Sequence, residues 1–302
     1  MNEASNSALP CSIVIPAYNA VKYAESAVKS ALEQNGFKAE IIVVDDGSTD
    51  GTAESLMQLD NVRLIRQENM GKSIARMEGL RHATSRFIVF LDADDELEPN
   101  AIAAHVAAMD AEPEAVMVFG SNRLINESGT FIGMNCQTPF ISESPDYIAR
   151  CVTPSPSQCM YRRRALDLVG GFDVSLEHCE DIDLNIKMSK IGRIVCHGES
   201  VARYRLHPEQ ATKRPSKVCK AHLFVLERHF GRFATSPDLK TLKSCERKWQ
   251  RYYGQFIPSE IFRYVAGRRF RDASSAFSVF FSCLPQSFFG AVAFVKRRLT
   301  HR

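Results

Sequence analysis

The sequence predicts a doubly wound α/β domain with a mainly parallel sheet and flanking helices, followed by a helical, basic-aromatic C-terminal extension. Three observations carry this. Short apolar runs alternate with stretches of helical spacing in the first third of the chain. Three of those runs end in unusual polar groups. Charge is divided unevenly: residues 213–302 hold 19 Lys and Arg against 5 Asp and Glu, about +14, which leaves about −11 for residues 1–212. These numbers set the expected domains, an acidic α/β part at 1–212 and the basic extension at 213–302.

The elements follow in order. Ser12-Ile-Val-Ile-Pro16 is an apolar run closed by proline, as in a buried parallel strand. Val21, Ala24, Ala27, Val28 and Leu32 keep helical spacing up to Asn35-Gly36. Glu40–Val44 reads as a second strand running into Asp45-Asp46-Gly47-Ser48-Thr49-Asp50, with Asp50 or Thr52 placed to cap the next helix. Val62–Ile65 is a third strand, 72–83 a helix and Phe87–Leu91 a fourth strand. A helix over 99–111 and a strand over Val116–Phe119 come next. Gly, Pro and Ser clusters mark 121–160 as loops and short strands, while 162–170 and 181–191 read as helical. Beyond Pro215 the pattern is helical and rich in Lys, Arg and aromatics.

Composition excludes several classes. With 45% hydrophobic and 24% charged residues the chain can bury an ordinary core. Nine cysteines without a CxxC pair argue against a disulfide framework and for a reducing compartment. The opening MNEASNSALP lacks the basic start and apolar run of a signal peptide. The longest apolar stretch, Phe277 to Val295, is broken by Ser282, Pro285, Gln286 and Ser287, so no spanning helix is expected.

In an open α/β sheet, ligands bind at the carboxyl ends of the strands. Here those ends are Pro16-Ala17-Tyr18-Asn19, Asp45-Asp46-Gly47-Ser48 and Asp92-Ala93-Asp94-Asp95. Three carboxylates within four residues must be solvated, paired or held by a cation, and a hard ion such as Mn²⁺ or Mg²⁺ prefers such oxygens. The plain alternative is a solvated turn that caps the helix after Pro99. The Asp45–Gly51 stretch is not a calcium loop, because its twelfth position would be Leu56 or Met57 rather than a bidentate glutamate. It is either a Gly-Ser turn with an N-cap or a carboxylate that accepts from a nucleobase N–H, with Tyr18 against the base. His178, Cys179, Cys196 and His197 have no zinc-finger spacing.

The ordered segments SIVIPAYN, EIIVVDDGSTDGT, ENMGKSIARMEG, FIVFLDADDELEP, GGFDVSLEHCEDIDL and YRLHPEQAT resemble the family-2 glycosyltransferases with the GT-A fold, over about residues 10–212. The resemblance implies a nucleotide diphosphate sugar donor, by family tendency a UDP-sugar, and inversion at the anomeric carbon. It implies that Pro16, Ala17 and Tyr18 line the nucleoside pocket and that Asp46 binds the base beside Asp45. Gly71 and Lys72 would approach the nucleotide, and Arg76 matches the arginine of an ARNxG motif. Asp92, Ala93 and Asp94 match the DxD motif, Asp94 as metal ligand and Asp92 toward ribose and sugar. Asp181, after Glu180, matches the catalytic base, and His207 a histidine that approaches metal or diphosphate. Met77 departs from the usual asparagine, and Cys179 from the usual glycine.

A saccharide or lipid-linked acceptor in cell-envelope polysaccharide or glycolipid synthesis agrees with the resemblance. So does a cytoplasmic location, peripheral to membrane. Arg263, Arg268, Arg269, Arg271 and Lys296-Arg297-Arg298 surround Phe277, Phe280, Phe281, Leu284, Phe288, Phe289, Val292 and Phe294. That pattern suits an amphipathic segment on an anionic membrane or a helical subdomain packed on the catalytic part. Two other readings stand beside transfer, a catalytically silent nucleotide-sugar-binding scaffold and a nucleotidyltransferase. The latter would carry a glycine-rich phosphate loop where this chain has Pro-Ala-Tyr-Asn. Basic charge without a nucleic-acid module does not make a nucleic-acid binder.

Overall fold

A computed structural model describes residues 9–207, 210, 214–231 and 236–283. Its contacts divide into two compact units. The first comprises residues up to Ser144 and Thr153–His207, and the second Pro145–Val152 and everything from Pro208.

The first unit is built on one sheet. Its strands are β1 (Cys11–Ala17), β2 (Glu40–Asp45), β3 (Val62–Arg66), β4 (Phe87–Phe90), β5 (Glu96–Leu97), β6 (Ala115–Ile125), β7 (Phe131–Asn135), β8 (Phe140–Ser142), β9 (Cys159–Arg162) and β10 (Arg193–Arg205). The order is β3-β2-β1-β4-β9-β6-β10-β5, with β7 on β6 and β8 on β10. β1, β2, β3 and β4 are mutually parallel, and β6 runs parallel to β10. β9 is antiparallel to both β4 and β6, so β1, β2, β4, β6 and β10 all end at one edge of the sheet. This is the doubly wound, mainly parallel arrangement expected from the sequence.

Period-two alternation assigns the two faces. Ile13 and Ile15 of β1, Val43 of β2 and Val89 of β4 are fully buried in a core shared with α1 (Ala24–Leu32) and α4 (Ala101–Ala111). Burying each such side chain contributes about 1.5–3 kcal/mol. Val14 points the other way, toward α3 (Lys72–His82). A Cβ on Gly79 would lie 2.2 Å from Val14 Cγ1, so glycine is what lets α3 sit this close to β1. The remaining helices of this unit are α2 (Thr52–Leu56), α6 (Arg163–Val169) and α7 (Glu180–Ser189), while α5 (Asp146–Arg150) belongs to the second unit.

Three stretches differ from expectation. The strand expected at Val116–Phe119 extends to Ile125, because its last residues pair with β7 in a hairpin. Residues 121–160 also supply β8, α5 and β9. β10, thirteen residues long, was not expected at all. Its sequence carries Arg203 and Arg205, which read as solvated but bind Glu96 and Glu98 of the neighbouring segment.

The second unit contains α8 (Pro215–Phe230), α9 (Ser236–Gly254), α10 (Ile257–Ala266) and a helix over 270–283. Ile257, Ile261, Tyr264, Ala273, Ala276, Cys219 and Cys283 form its core. Among the described residues no helix is long and apolar enough to cross a membrane. Leu284, Phe288, Phe289, Val292, Phe294 and Lys296-Arg297-Arg298 lie outside the described residues.

Candidate active site

The loop after β1 is fixed by the loop after β2. Asn19 N–H donates to Ser48 Oγ at 3.0 Å, Ala20 N–H to Thr52 Oγ1 at 2.9 Å and Val21 N–H to Asp50 at 3.1 Å. Thr49 N–H returns a bond to the Asn19 side chain at 2.9 Å. The Ser-Thr-Asp-Gly-Thr run therefore holds Tyr18 in place. Of the two residues expected to cap α2, Asp50 accepts from Thr52 N–H at 3.0 Å, while the cap position itself is Gly51 at φ 93°.

Asp45 and Asp46 are both buried. Asp45 accepts from Ser48 N–H and from Arg66 Nε at 3.2 Å. Asp46 Oδ1 accepts from Gln67 Nε2 at 2.7 Å and Met70 N–H at 2.9 Å, and Oδ2 from Gly71 N–H at 2.8 Å. A carboxylate has about four acceptor positions, so three are occupied by the 67–71 loop and one on Oδ2 is left for a ligand. Gly47, at φ 78°, permits the close approach of that loop, since a Cβ there would stand 2.8 Å from Asn69 N. The result is a cavity of about 200 Å³ lined by Pro16, Ala17, Tyr18, Asp46, Asn69, Gly71, Lys72 and Ala75. Six of these eight were singled out from sequence. Asn69 and Ala75 were not, although both lie in the ENMGKSIARMEG segment.

Beside it, the β4 corner gathers carboxylates. Oxygens of Asp92, Asp94 and Asp95 lie within 4.8 Å of one another, and this is the one group among the described residues suited to a metal ion. Their situations differ. Asp95 is buried and accepts from Arg205 N–H at 3.0 Å and Ser157 Oγ at 2.8 Å. Burial first, and then the charges of Asp94 and Asp92, hold its pKa well above the ordinary range. Asp94 is pushed up by burial and by Asp92, against the pull of His207, whose Nε2 is 2.9 Å from Asp94 Oδ2. Asp92 is bonded by Arg76. Asp92 and Asp94 remain partly exposed. Crowded, partly desolvated carboxylates next to an imidazole fit a hard divalent cation. Ala93 lies between them in the chain and is buried. His178, Cys179, Cys196 and His197 form no such group; His197 Nε2 instead faces His105 Nδ1 at 3.1 Å.

Arg76 is 1% exposed. It joins Asp92 to Glu180, whose Oε1 it meets at 2.8 Å, and its guanidinium lies 5.1 Å from the Phe172 ring centre. Lys72, one turn earlier on α3, reaches the same Glu180 oxygen at 2.7 Å. Burial works to raise the Glu180 pKa, but the two cations outweigh it and hold it low. Arg76 and Glu180 thus occupy the interior. The sequence placed Arg76 on the diphosphate and Glu180 among the catalytic groups; in the structure both are buried and paired with each other.

Asp181 is partly exposed at the start of α7. Its pKa is pushed up to about 6, chiefly by burial and the adjacent Glu180 charge, with Lys72, Arg76 and the Ile182 N–H opposing. Cys179, just before it, takes the left-handed conformation at φ 62° that glycine would adopt freely, so the backbone keeps a glycine-like path at that departure. At the other departure, the Met77 sulfur accepts from Phe172 N–H at 3.3 Å and packs against Gly171.

Carboxylates, a lysine and an aromatic-lipped cavity thus meet on one sheet edge, in the order of the sequence segments, and residues 12–170 match glycosyl transferase family 2. The chain belongs to that family. It is 29% identical over 219 residues to the hyaluronan synthase of Pasteurella multocida, covering 71% of this chain and 22% of that protein. It is 32% identical over 213 residues to the chondroitin synthase of Escherichia coli, covering 65% of this chain and 30% of that protein. This glycosyltransferase-family chain therefore aligns with less than a third of either synthase. The crystal structure of S. aureus TarS 1-349 in complex with UDP-GlcNAc shares its fold, with TM-score 0.61 at 17% identity over 91% of each chain. The family match ends before Asp181, Arg205 and His207.

Proposed function

We propose that the protein transfers a sugar from a UDP-sugar to an acceptor hydroxyl with inversion, in the synthesis of a cell-envelope polysaccharide or glycolipid. The observation that carries this reading is the adjacency, through Lys72, of the cavity lined by Tyr18 and Asp46 and the buried Arg76–Glu180 pair beside Asp181. The uridine assignment is supported by the related fold whose structures contain UDP and UDP-GlcNAc.

Each residue then has a physical task. Tyr18 packs against the base, and Asp46 accepts from its N–H with the remaining position on Oδ2. Lys72, 43% exposed, is close enough to the cavity to stabilise a diphosphate. Asp94, Asp92 and His207 would hold Mn²⁺ or Mg²⁺, which when bound supplies Lewis-acid neutralisation of the leaving diphosphate. Asp181 takes the proton of the acceptor hydroxyl as it attacks the anomeric carbon from the side opposite the nucleotide. A base near pKa 6 is ionised at neutral pH yet still basic enough to be useful. Glu180 and Arg76 fix the start of α7 and hence Asp181. The enzyme would work in the cytoplasm, peripherally on the membrane, on a saccharide or lipid-linked acceptor.

Calorimetry with UDP, dTDP and GDP, in Mn²⁺ and then with excess chelator, tests the donor site. Metal-dependent binding of UDP alone is expected. Absence of binding by all three would remove the donor-site reading, while UDP binding without any transfer would favour the silent scaffold.

A further inference from the structure

In the second unit, α10 and the helix over 270–283 turn their inner faces to one core. Ile257, Ile261 and Tyr264 come from the first, and Ala273, Ala276 and Cys283 from the second. Their outer faces carry aromatic residues into solvent. Phe262 is 74% exposed, with Val265 one turn along. On the next helix Phe270, Phe277 and Phe281 fall at i, i+7 and i+11, a single stripe, and are 65%, 45% and 63% exposed. Exposed large apolar side chains scattered singly need no explanation, but a stripe at helical spacing does.

The charge around the stripe has one sign. Arg268 and Arg271 are exposed at the elbow, with Arg263 on α10. The two acids of residues 257–283 are both engaged. Glu260 is buried, accepting from Ser216 N–H at 2.9 Å and Tyr264 Oη at 2.9 Å, and Asp272 pairs with Arg269 at 2.6 Å. Phenylalanine beside exposed arginine matches the boundary of an anionic bilayer, where rings enter the acyl region and guanidiniums meet phosphates. A nucleic-acid duplex would use the arginines but offers no unstacked bases to a phenylalanine stripe running along a helix.

The structure assigns this elbow, Phe262, Phe270, Phe277 and Phe281 with Arg268 and Arg271, as the surface that docks on anionic lipid. The assignment rests on the peripheral placement proposed above and is independent of the transfer chemistry.

Co-sedimentation of the full chain with vesicles of phosphatidylcholine, and of phosphatidylcholine with about one-third phosphatidylglycerol, tests it. At least about tenfold tighter binding to the anionic vesicles is expected, weakening as salt is raised. F262S/F270S and R268E/R271E should each bind about tenfold less well, with UDP affinity unchanged by calorimetry. Unchanged UDP affinity separates a failure here from a failure of the donor site. Equal binding to both vesicles, or none, would overturn the assignment, and the wild-type series decides this even should a variant fail to fold. So would full binding by F262S/F270S, which would mean general polyanion attraction. So would a dimer, by light scattering, that F262S/F270S converts to monomer without any vesicle binding, which would mean that a second copy covers the stripe.

Discussion

The corners after β2 and β4 look alike in sequence, Asp45-Asp46 in one and Asp92-Ala93-Asp94-Asp95 in the other, and they open on the same sheet edge. Their physical states are opposite. At the β2 corner the chain itself provides the hydrogen bonds: Ser48, Gln67, Met70 and Gly71 donate, and Arg66 neutralises. At the β4 corner only Asp95 is so well served, while Asp92 and Asp94 stay crowded and partly exposed. The first corner is a scaffold that keeps one acceptor position for a ligand. The second leaves two carboxylates crowded and open, which suits the cation proposed for it. Aspartate at a strand end therefore means support or ligand according to how many N–H donors the fold brings to it.

The predictions break or sharpen that contrast. The largest effect belongs to neither corner. Asp181→Asn should lower transfer by about 10²–10⁴-fold, with UDP binding within about twofold by calorimetry. Equal loss of both would remove the base from its assigned role. Asp94→Asn should weaken metal-dependent UDP binding by about a hundredfold, while urea denaturation shows unchanged or slightly raised stability. The sign follows from Asp94's raised pKa: its ionised form is disfavoured in the fold, and a neutral amide relieves that. Asp46→Asn should do the reverse, costing about 1–3 kcal/mol of stability as its amide meets the N–H donors of the 67–71 loop. A stable D46N protein would end the distinction between the corners.

For pH, Asp181 must be ionised to act, so transfer should fall about tenfold per unit below about pH 6 and level off above it. Because its folded pKa is raised from 3.8 to about 6, stability is lost as pH rises through that window, and D181N should remove this slope. The smallest effect is expected at Cys179→Gly, which relieves a left-handed φ and should stabilise by up to about 1 kcal/mol with transfer retained.

Much of this was legible before the structure. β1, β2 and β4 are apolar on both faces and end in polar groups, a pattern that helices on either side of a parallel sheet require. Six of the eight residues lining the cavity could be named because the family resemblance gives their positions a role. What stayed hidden depends on partners far along the chain. Arg76 was expected at the donor from the ARNxG resemblance, but nothing local shows that Asp92 and Glu180, 104 residues away in the latter case, enclose it. Ser157 and Arg205 support Asp95 from 62 and 110 residues away, and nothing local in either announces this. β10 escaped notice for the same reason, since the acids that neutralise its arginines come from another segment.

That strand has one more consequence. Between Cys196 and Ala202 its register against β6 shifts at the irregularity around Gly198, and beyond it pairing continues unbroken to Arg205. Side chains alternate faces along a strand, so parity is counted from that irregularity. Deleting one residue there would turn Arg205 away from Glu96 and the carbonyl of Asp94, and draw His207 out of step with the carboxylate it meets. The metal corner would be dismantled by an edit that touches none of its residues. Length in this loop is therefore as much a part of the catalytic inheritance as any aspartate.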